Sequence, residues 1–167
     1  MSEFMVSQWL IGIAIIFDLV SFQFKQKRHI VACLAVSGVL ISSHFALLQQ
    51  WTAAGLMLVA AIRYVVTIFS HSKLLMSLFL AISSFVTLVT FAGPLSLISF
   101  AGSATQTVAA FSQSDQRLRQ LMIMGTSLWL LNNTLVGSPT AVLMELLFIA
   151  SNLVGYYRFY GTRLALD

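Results

Sequence analysis

Residues 25–63 read KQKRHIVACLAVSGVLISSHFALLQQWTAAGLMLVAAIR. The basic group Lys25, Lys27 and Arg28 leads into an apolar run, Ile30–Leu48. Gln49 and Gln50 interrupt it, and a second apolar run starts at Trp51 with Arg63 inside it. A helix that crosses a bilayer needs about 20 mainly apolar residues. Each run is close to that length, and a two-residue polar link leaves the chain no option but to turn back on itself. The rest of the chain has the same character. Of 167 residues, 59% are hydrophobic and 8% charged, against about 45–50% and about 25% in a typical soluble domain. Mean hydropathy is +0.92. Nine Lys+Arg and five Asp+Glu are too few to clothe a soluble surface of this size. The composition therefore excludes a soluble enzyme, a DNA-binding domain and a secreted disulfide scaffold.

Seven apolar segments follow one another: Met5–Phe24, Ile30–Leu48, Trp51–Ser70, Leu74–Phe91, Leu95–Phe111, Leu118–Val136 and Thr140–Tyr160. Inside a bilayer every backbone polar group must be satisfied internally, which favours helices. The segments of about ten alternating residues that mark a membrane barrel are absent from the sequence. The expected fold is thus all-α, with seven transmembrane helices in a single membrane domain, 1–167. The first segment lacks the basic flank and A-x-A site of a cleaved signal peptide and is expected to stay as a helix. Basic residues gather on the cytoplasmic side of membrane proteins. With the N-terminus outside, Lys25, Lys27, Arg28, Lys73, Arg117, Arg119, Arg158 and Arg163 all fall in inner loops or the tail, which predicts an N-out/C-in orientation. The pI near 9.6 reflects these few residues rather than a nucleic-acid surface, since no basic patch is interleaved with stacking aromatics. Cys33, the single cysteine, lies in an apolar run and reads as a packing residue.

Shifting the first half by 89 residues lays the first three segments on the last three. Ser37, His44 and Arg63 then meet Thr126, Asn133 and Asn152, although identities are few. The expected organisation is a 3+1+3 parallel repeat: a first triple-helix bundle at 5–70, a linker helix at 74–91 and a second bundle at 95–160. In transporters built from parallel repeats the solute site lies near the bilayer midplane, between the repeats.

Ionisable residues inside spans are expensive and usually face the bundle interior. Asp18 and Arg63 lie 13 and 12 residues into their segments and so at similar depth, about 18–20 Å from the outer end. They are expected to form an ion pair. Glu145 and Asn152 share a helix face, seven residues apart. His44, Asn133 and Glu145 form an expected outer polar cluster, and histidine titrates near neutral pH. His44 has no second His or Cys at ligand spacing, so no metal site is expected. Ser42, Ser43, Ser83 and Ser84 fit helix packing or back-bonding to carbonyls. Walker, G-x-S-x-G and H-E-x-x-H patterns are missing from the sequence, so neither enzymatic activity nor a cofactor is expected.

Ser43-His44-Phe45-Ala46-Leu47-Leu48 with Ala61-Ile62-Arg63, and then Trp129, Asn133, Gly137-Ser138, Glu145, Phe148, Asn152 and Arg158-Phe159, resemble the YgjV family of bacterial inner membrane proteins over nearly the whole chain. Gln49 departs from the glycine expected after the first Leu-Leu. The family looks related to the broader SWEET and PQ-loop group. That likeness implies a SWEET-like seven-helix 3+1+3 fold, a location in the bacterial inner (cytoplasmic) membrane and solute transport. It also implies that Asn152 and Trp129 line a pocket, with Arg63 and Leu40 breaking the sugar pattern in the first half. The proline–glutamine pair of the group is degraded to Thr105-Gln106 and Ile16-Phe17.

The expected function is transport or facilitated passage of a small polar solute by alternating access, with Arg63, Asn152, Trp129 and Asp18 binding it. The alternative is a receptor or ligand-binding protein without flux; a helper subunit of a larger complex ranks third. The expected partners are the lipid bilayer and a small-molecule solute, with homo-oligomer formation left open and nucleic acid excluded.

Overall fold

A computed structural model describes residues 3–47, 51–136 and 139–161. The described chain is all-α: α1 (Glu3–Ser21), α2 (Lys27–Leu47), α3 (Trp51–Phe69), α4 (Lys73–Val89), α5 (Pro94–Phe111), α6 (Asp115–Val136) and α7 (Pro139–Tyr160). Local chemistry sets several boundaries. The Ser72 side chain accepts from Leu74 N and caps α4. Pro94 begins α5, where its missing N–H costs nothing, and Gly93 precedes it at φ +113°, which favours glycine. The turns at Gln49-Gln50 and Gly137-Ser138, and Arg163 in the tail, lie outside the described residues.

Polarity is arranged as lipid demands. Leu, Phe, Val and Trp side chains face outward, with Phe69 and Leu74 each 79% exposed, while Asp18, Arg63, Arg119 and Asn152 are buried. A water-soluble protein would do the reverse. Two apolar clusters hold the helices together. One joins Phe22, Leu34, Tyr64, Leu118, Met122 and Phe148 across both halves of the chain. The other centres on Ile11, Ala14, Ile41, Phe45 and Met144.

The architecture corrects the expectation of seven transmembrane helices. Among the described residues, three helices are long and apolar enough to cross a membrane: Lys27–Leu47, Trp51–Phe69 and Pro139–Tyr160. The apolar stretches Met5–Ser21 and Lys73–Val89 are shorter. At 1.5 Å per residue, 17 residues span about 26 Å, less than the hydrocarbon thickness of about 30 Å. α5 carries Ser96, Ser99, Ser103, Gln106 and Thr107 on its buried side. α6 opens on Asp115, Arg117 and Arg119 and closes near Asn132 and Asn133. Polar content, more than length, keeps these two out of the spanning class. The protein is a multi-span helical membrane protein, but the SWEET-like seven-span, N-out/C-in scheme does not hold. Its orientation argument counted loops between seven spans and included Arg119, which is fully buried.

The 3+1+3 repeat is likewise not upheld. Packing follows chain order, α1 on α2 and α2 on α3, then α5 on α6 and α6 on α7, so neither set closes into a tight triple. α4 rests on α3 and α5, and the two sets meet through α3·α5 and α1·α7. The positions matched by the 89-residue shift do not share environments. His44 bonds the Ser7 carbonyl whereas Asn133 bonds Glu145. Arg63 reaches across to α5, while Asn152 bonds the Arg119 carbonyl on the neighbouring α6.

Candidate functional site

A cavity of about 50 Å³ lies between the two sets of helices. A buried water needs roughly 10–15 Å³ measured this way, so there is room for a few waters or a ligand of a few heavy atoms. Its walls come from α1, α2, α3, α5, α6 and α7. Asp18 enters from α1, Ser37 from α2, Tyr64 from α3, Gln106 from α5, Thr126, Trp129 and Asn133 from α6, and Glu145 from α7. Small residues allow the approach: a methyl group on Gly125 would lie 2.6 Å from Gln106 Cγ, and one on Gly102 would lie 3.0 Å from the Trp129 indole.

Two carboxyl groups, those of Asp18 and Glu145, line this space. Asn133 Nδ2 donates to Glu145 Oε1 at 3.3 Å. The Ser37 hydroxyl donates to the Ala14 carbonyl of α1 at 3.5 Å. No Lys, Arg or His is among the described residues that line the cavity. Trp129 Nε1 and Thr126 Oγ1 are buried without a hydrogen-bond partner, and both residues form part of the wall. Among the described residues no cluster of His, Cys, Asp and Glu is suited to a metal ion.

The structure therefore brings together Asp18, Trp129, Asn133 and Glu145 and sets the other expected residues apart. Arg63 does not pair with Asp18. Its Nη1 donates to Thr107 Oγ1 at 2.7 Å and to the Ser103 carbonyl at 3.4 Å, and the guanidinium sits 4.7 Å from the centre of the Tyr64 ring. Equal depth was not sufficient, because α2 stands between α1 and α3 and turns Arg63 toward α5. The Asp18→Asn/Arg63→Gln double variant is therefore expected to be additive. A thermal-unfolding cycle should give a coupling within about 0.5 kcal/mol of zero, as for sites that share no contact.

Asn152 is also displaced from the expected site. Its Nδ2 donates to the Arg119 carbonyl at 2.8 Å, away from the cavity. His44 leaves the outer cluster: its Nδ1 lies 2.9 Å from the Ser7 carbonyl, so the proton must reside on Nδ1, and its ring packs against Phe45. Glu145 and Asn133 remain as a pair without it.

A second feature escaped sequence reasoning. Arg119 donates from Nη1 to the Phe22 carbonyl at 2.9 Å and from Nη2 to the Phe24 carbonyl, and its guanidinium lies over the Phe22 and Phe159 rings. Ser151 Oγ donates to the Leu19 carbonyl at 2.6 Å. These bonds close the C-terminal end of α1 against α6 and α7. The signal was present as Ser151, Asn152 and Gly155, small or polar residues along one face of a helix, which mark a close approach.

Fold and inside-out polarity define a multi-pass helical membrane protein. The profile of a family described as bacterial inner membrane protein, Imp-YgjV, matches residues 5–163, and the chain belongs to that family. It is 26% identical over 160 residues to "Inner membrane protein YgjV" of Escherichia coli (strain K12), covering 96% of this chain and 87% of that one. No solved structure matches. These findings support the YgjV likeness and give no support to a relationship with the SWEET and PQ-loop group.

Proposed function

We propose that this protein carries a small polar solute across the inner membrane, with the cavity between α1–α3 and α5–α7 as the solute site. The observation that supports this most is the cavity itself: Asp18, Glu145 and Asn133 line it inside a protein whose outer face is apolar. Buried polar groups are costly unless they are satisfied, so a polar occupant repays their cost. The two helix sets meet mainly through α3·α5 and α1·α7, the seams at which they would move relative to one another. Passage then consists of loosening the Arg119–Phe22 closure on one side and the apolar cluster of Ile11, Ile41, Phe45 and Met144 on the other, in turn. No catalytic role is assigned to any residue.

A binding-only role is the second reading, favoured by the Arg119 closure, which ties the end of α1 to α6. Uptake into proteoliposomes separates the two. Saturable entry of a small polar solute is expected, and tight binding without entry would leave only the second reading.

A further inference from the structure

A second cleft, separate from the central cavity and independent of the solute reading, lies at the end of the bundle where α4 begins and α5 gives way to α6. Its volume is about 610 Å³, within the range of about 300–1,000 Å³ usual for ligand sites. The wall has two kinds of residue. His71 and Lys73 come from the start of α4 and Arg117 from the first turn of α6, while Met76, Val108 and Phe111 are apolar. No Asp or Glu is among the described residues that line it. Asp115, the acid closest to Arg117 in sequence, accepts instead from the Tyr160 hydroxyl of α7. Lys73 and Arg117 therefore have no ion-pair or hydrogen-bond partner among the described residues. Lys27 Nζ donates to the Ser112 carbonyl on the rim, which brings a further positive charge to its edge. Gln116 and Gln120 donate to the Tyr156 hydroxyl, each at 3.1 Å, and so hold the α6 wall against α7.

The order of these groups along the helices narrows the ligand. α4 runs away from this end of the bundle and α5 runs toward it. Met76 lies three residues past Lys73, and Val108 three residues before Phe111. Each is therefore about 4.5 Å further from the end than the residue it is counted from. Cations stand at the mouth and apolar groups deeper, the order in which a phospholipid presents its phosphate and then its acyl chains. The outward surface of α4 beside the cleft continues the apolar part, with Leu74 and Leu78 both exposed. A soluble anion would use the mouth alone; the apolar wall beneath suits a ligand with a tail. Basic pockets between membrane helices suit acidic headgroups, and an arginine fork matches the oxygens of a phosphate. α4 and α6 both start at the rim, so the positive ends of their dipoles add to the attraction. We propose that this cleft binds an anionic phospholipid, its phosphate held by Lys73 and Arg117 and the upper part of one acyl chain laid on Met76, Val108 and Phe111.

The test is native mass spectrometry of the full-length protein in mild detergent, titrated with three probes. Dioleoylphosphatidylglycerol carries both phosphate and tail, dioleoylphosphatidylcholine has the same tails with a neutralised headgroup, and glycerophosphoglycerol is the water-soluble headgroup alone. The anionic lipid should bind about tenfold or more tightly than either of the others, the scale of two basic side chains acting on one acidic headgroup. The Lys73→Gln/Arg117→Gln double variant should lose that preference. Lys25→Gln/Arg28→Gln removes the same charge from exposed residues at the same end of the bundle that do not line the cleft, and it should keep the preference. Equal binding of the two lipids, equal loss in the two double variants, or binding of the soluble headgroup as tight as that of the lipid would overturn the proposal; the last result would make the site one for a free phosphate ester. If the Lys73/Arg117 variant does not fold, an anionic lipid with a photoreactive group near the top of one acyl chain decides on the native protein. Crosslinks should fall on Met76, Val108 or Phe111, and crosslinks spread evenly around the bundle would refute the assignment.

Discussion

Gly155→Ala is expected to lower the unfolding free energy by about 3 kcal/mol or more, combining overpacking with the loss of a charged hydrogen bond. The added methyl would sit 2.2 Å from the Phe22 carbonyl oxygen and 2.4 Å from Arg119 Nη1. Phe22 O is backbone at the end of α1, so it cannot swing aside as a side-chain tip would. The new Cβ therefore pushes α7 away from α1 or displaces the Arg119 guanidinium from its carbonyl partner. Either outcome also disturbs Ser151 and Asn152, which bond to Leu19 and Arg119 on the same side of α7. Gly12→Ala is the control: no atom lies within 4 Å of a methyl placed there, and alanine gains about 0.5–1 kcal/mol of helix propensity over glycine. Thermal unfolding in detergent of both variants checks this. A Gly155→Ala protein within 0.5 kcal/mol of the native one, roughly the size of an ordinary surface change, would mean that α1 and α7 do not meet in this way.

The second large effect is a contrast between two fully buried arginines. Arg119→Met should destabilise the protein by about 2–4 kcal/mol, because it leaves the Phe22 and Phe24 carbonyls without their charged donor. Those carbonyls terminate α1, where the negative end of the helix dipole adds to the attraction for a cation. Arg63→Met should be neutral or stabilising. Arg63 Nε and Nη2 have no partner, and no carboxylate lies within ion-pair distance among the described residues. Removing a buried charge that is poorly compensated, with a methionine of comparable length in its place, commonly costs nothing. The two unfolding curves, measured side by side, should separate in opposite directions or nearly so. A large loss for Arg63→Met would show that the guanidinium is compensated by groups other than Thr107 and Ser103.

Much of this was legible in the residues. Hydropathy and the short polar breaks located seven helices to within a few residues, because breaks such as His71–Lys73 and Gly93-Pro94 interrupt helices by local chemistry alone. Membrane span is a stricter property. α5 and α6 looked long enough, but their serines, glutamine and arginines serve contacts inside the protein rather than a lipid face. Depth along a helix could be counted, and it placed Asp18 and Arg63 level with each other. Azimuth could not, because it depends on which helix stands between, and α2 stands between α1 and α3. Asp18, Asn133 and Glu145, which line the cavity, stand out in the sequence because a polar residue in an apolar run has few uses, whereas Trp129 is singled out by the family likeness. Arg119 was missed because charge at the start of an apolar run looks the same whether it faces headgroups or the carbonyls of another helix.

The claim on which the account rests is that the cavity is the path of a solute, and blocking it tests this most directly. Initial uptake of a panel of radiolabelled small polar solutes into proteoliposomes should be measured for the native protein and for Ser37→Leu, which fills the cavity from α2, with folding matched by melting point. The account predicts saturable uptake by the native protein and loss of about nine-tenths of it or more when one wall group fills the space, as a misplacement of about 1 Å can cost a hundredfold. Equal uptake by the two proteins, or no uptake of any solute by either, would contradict it.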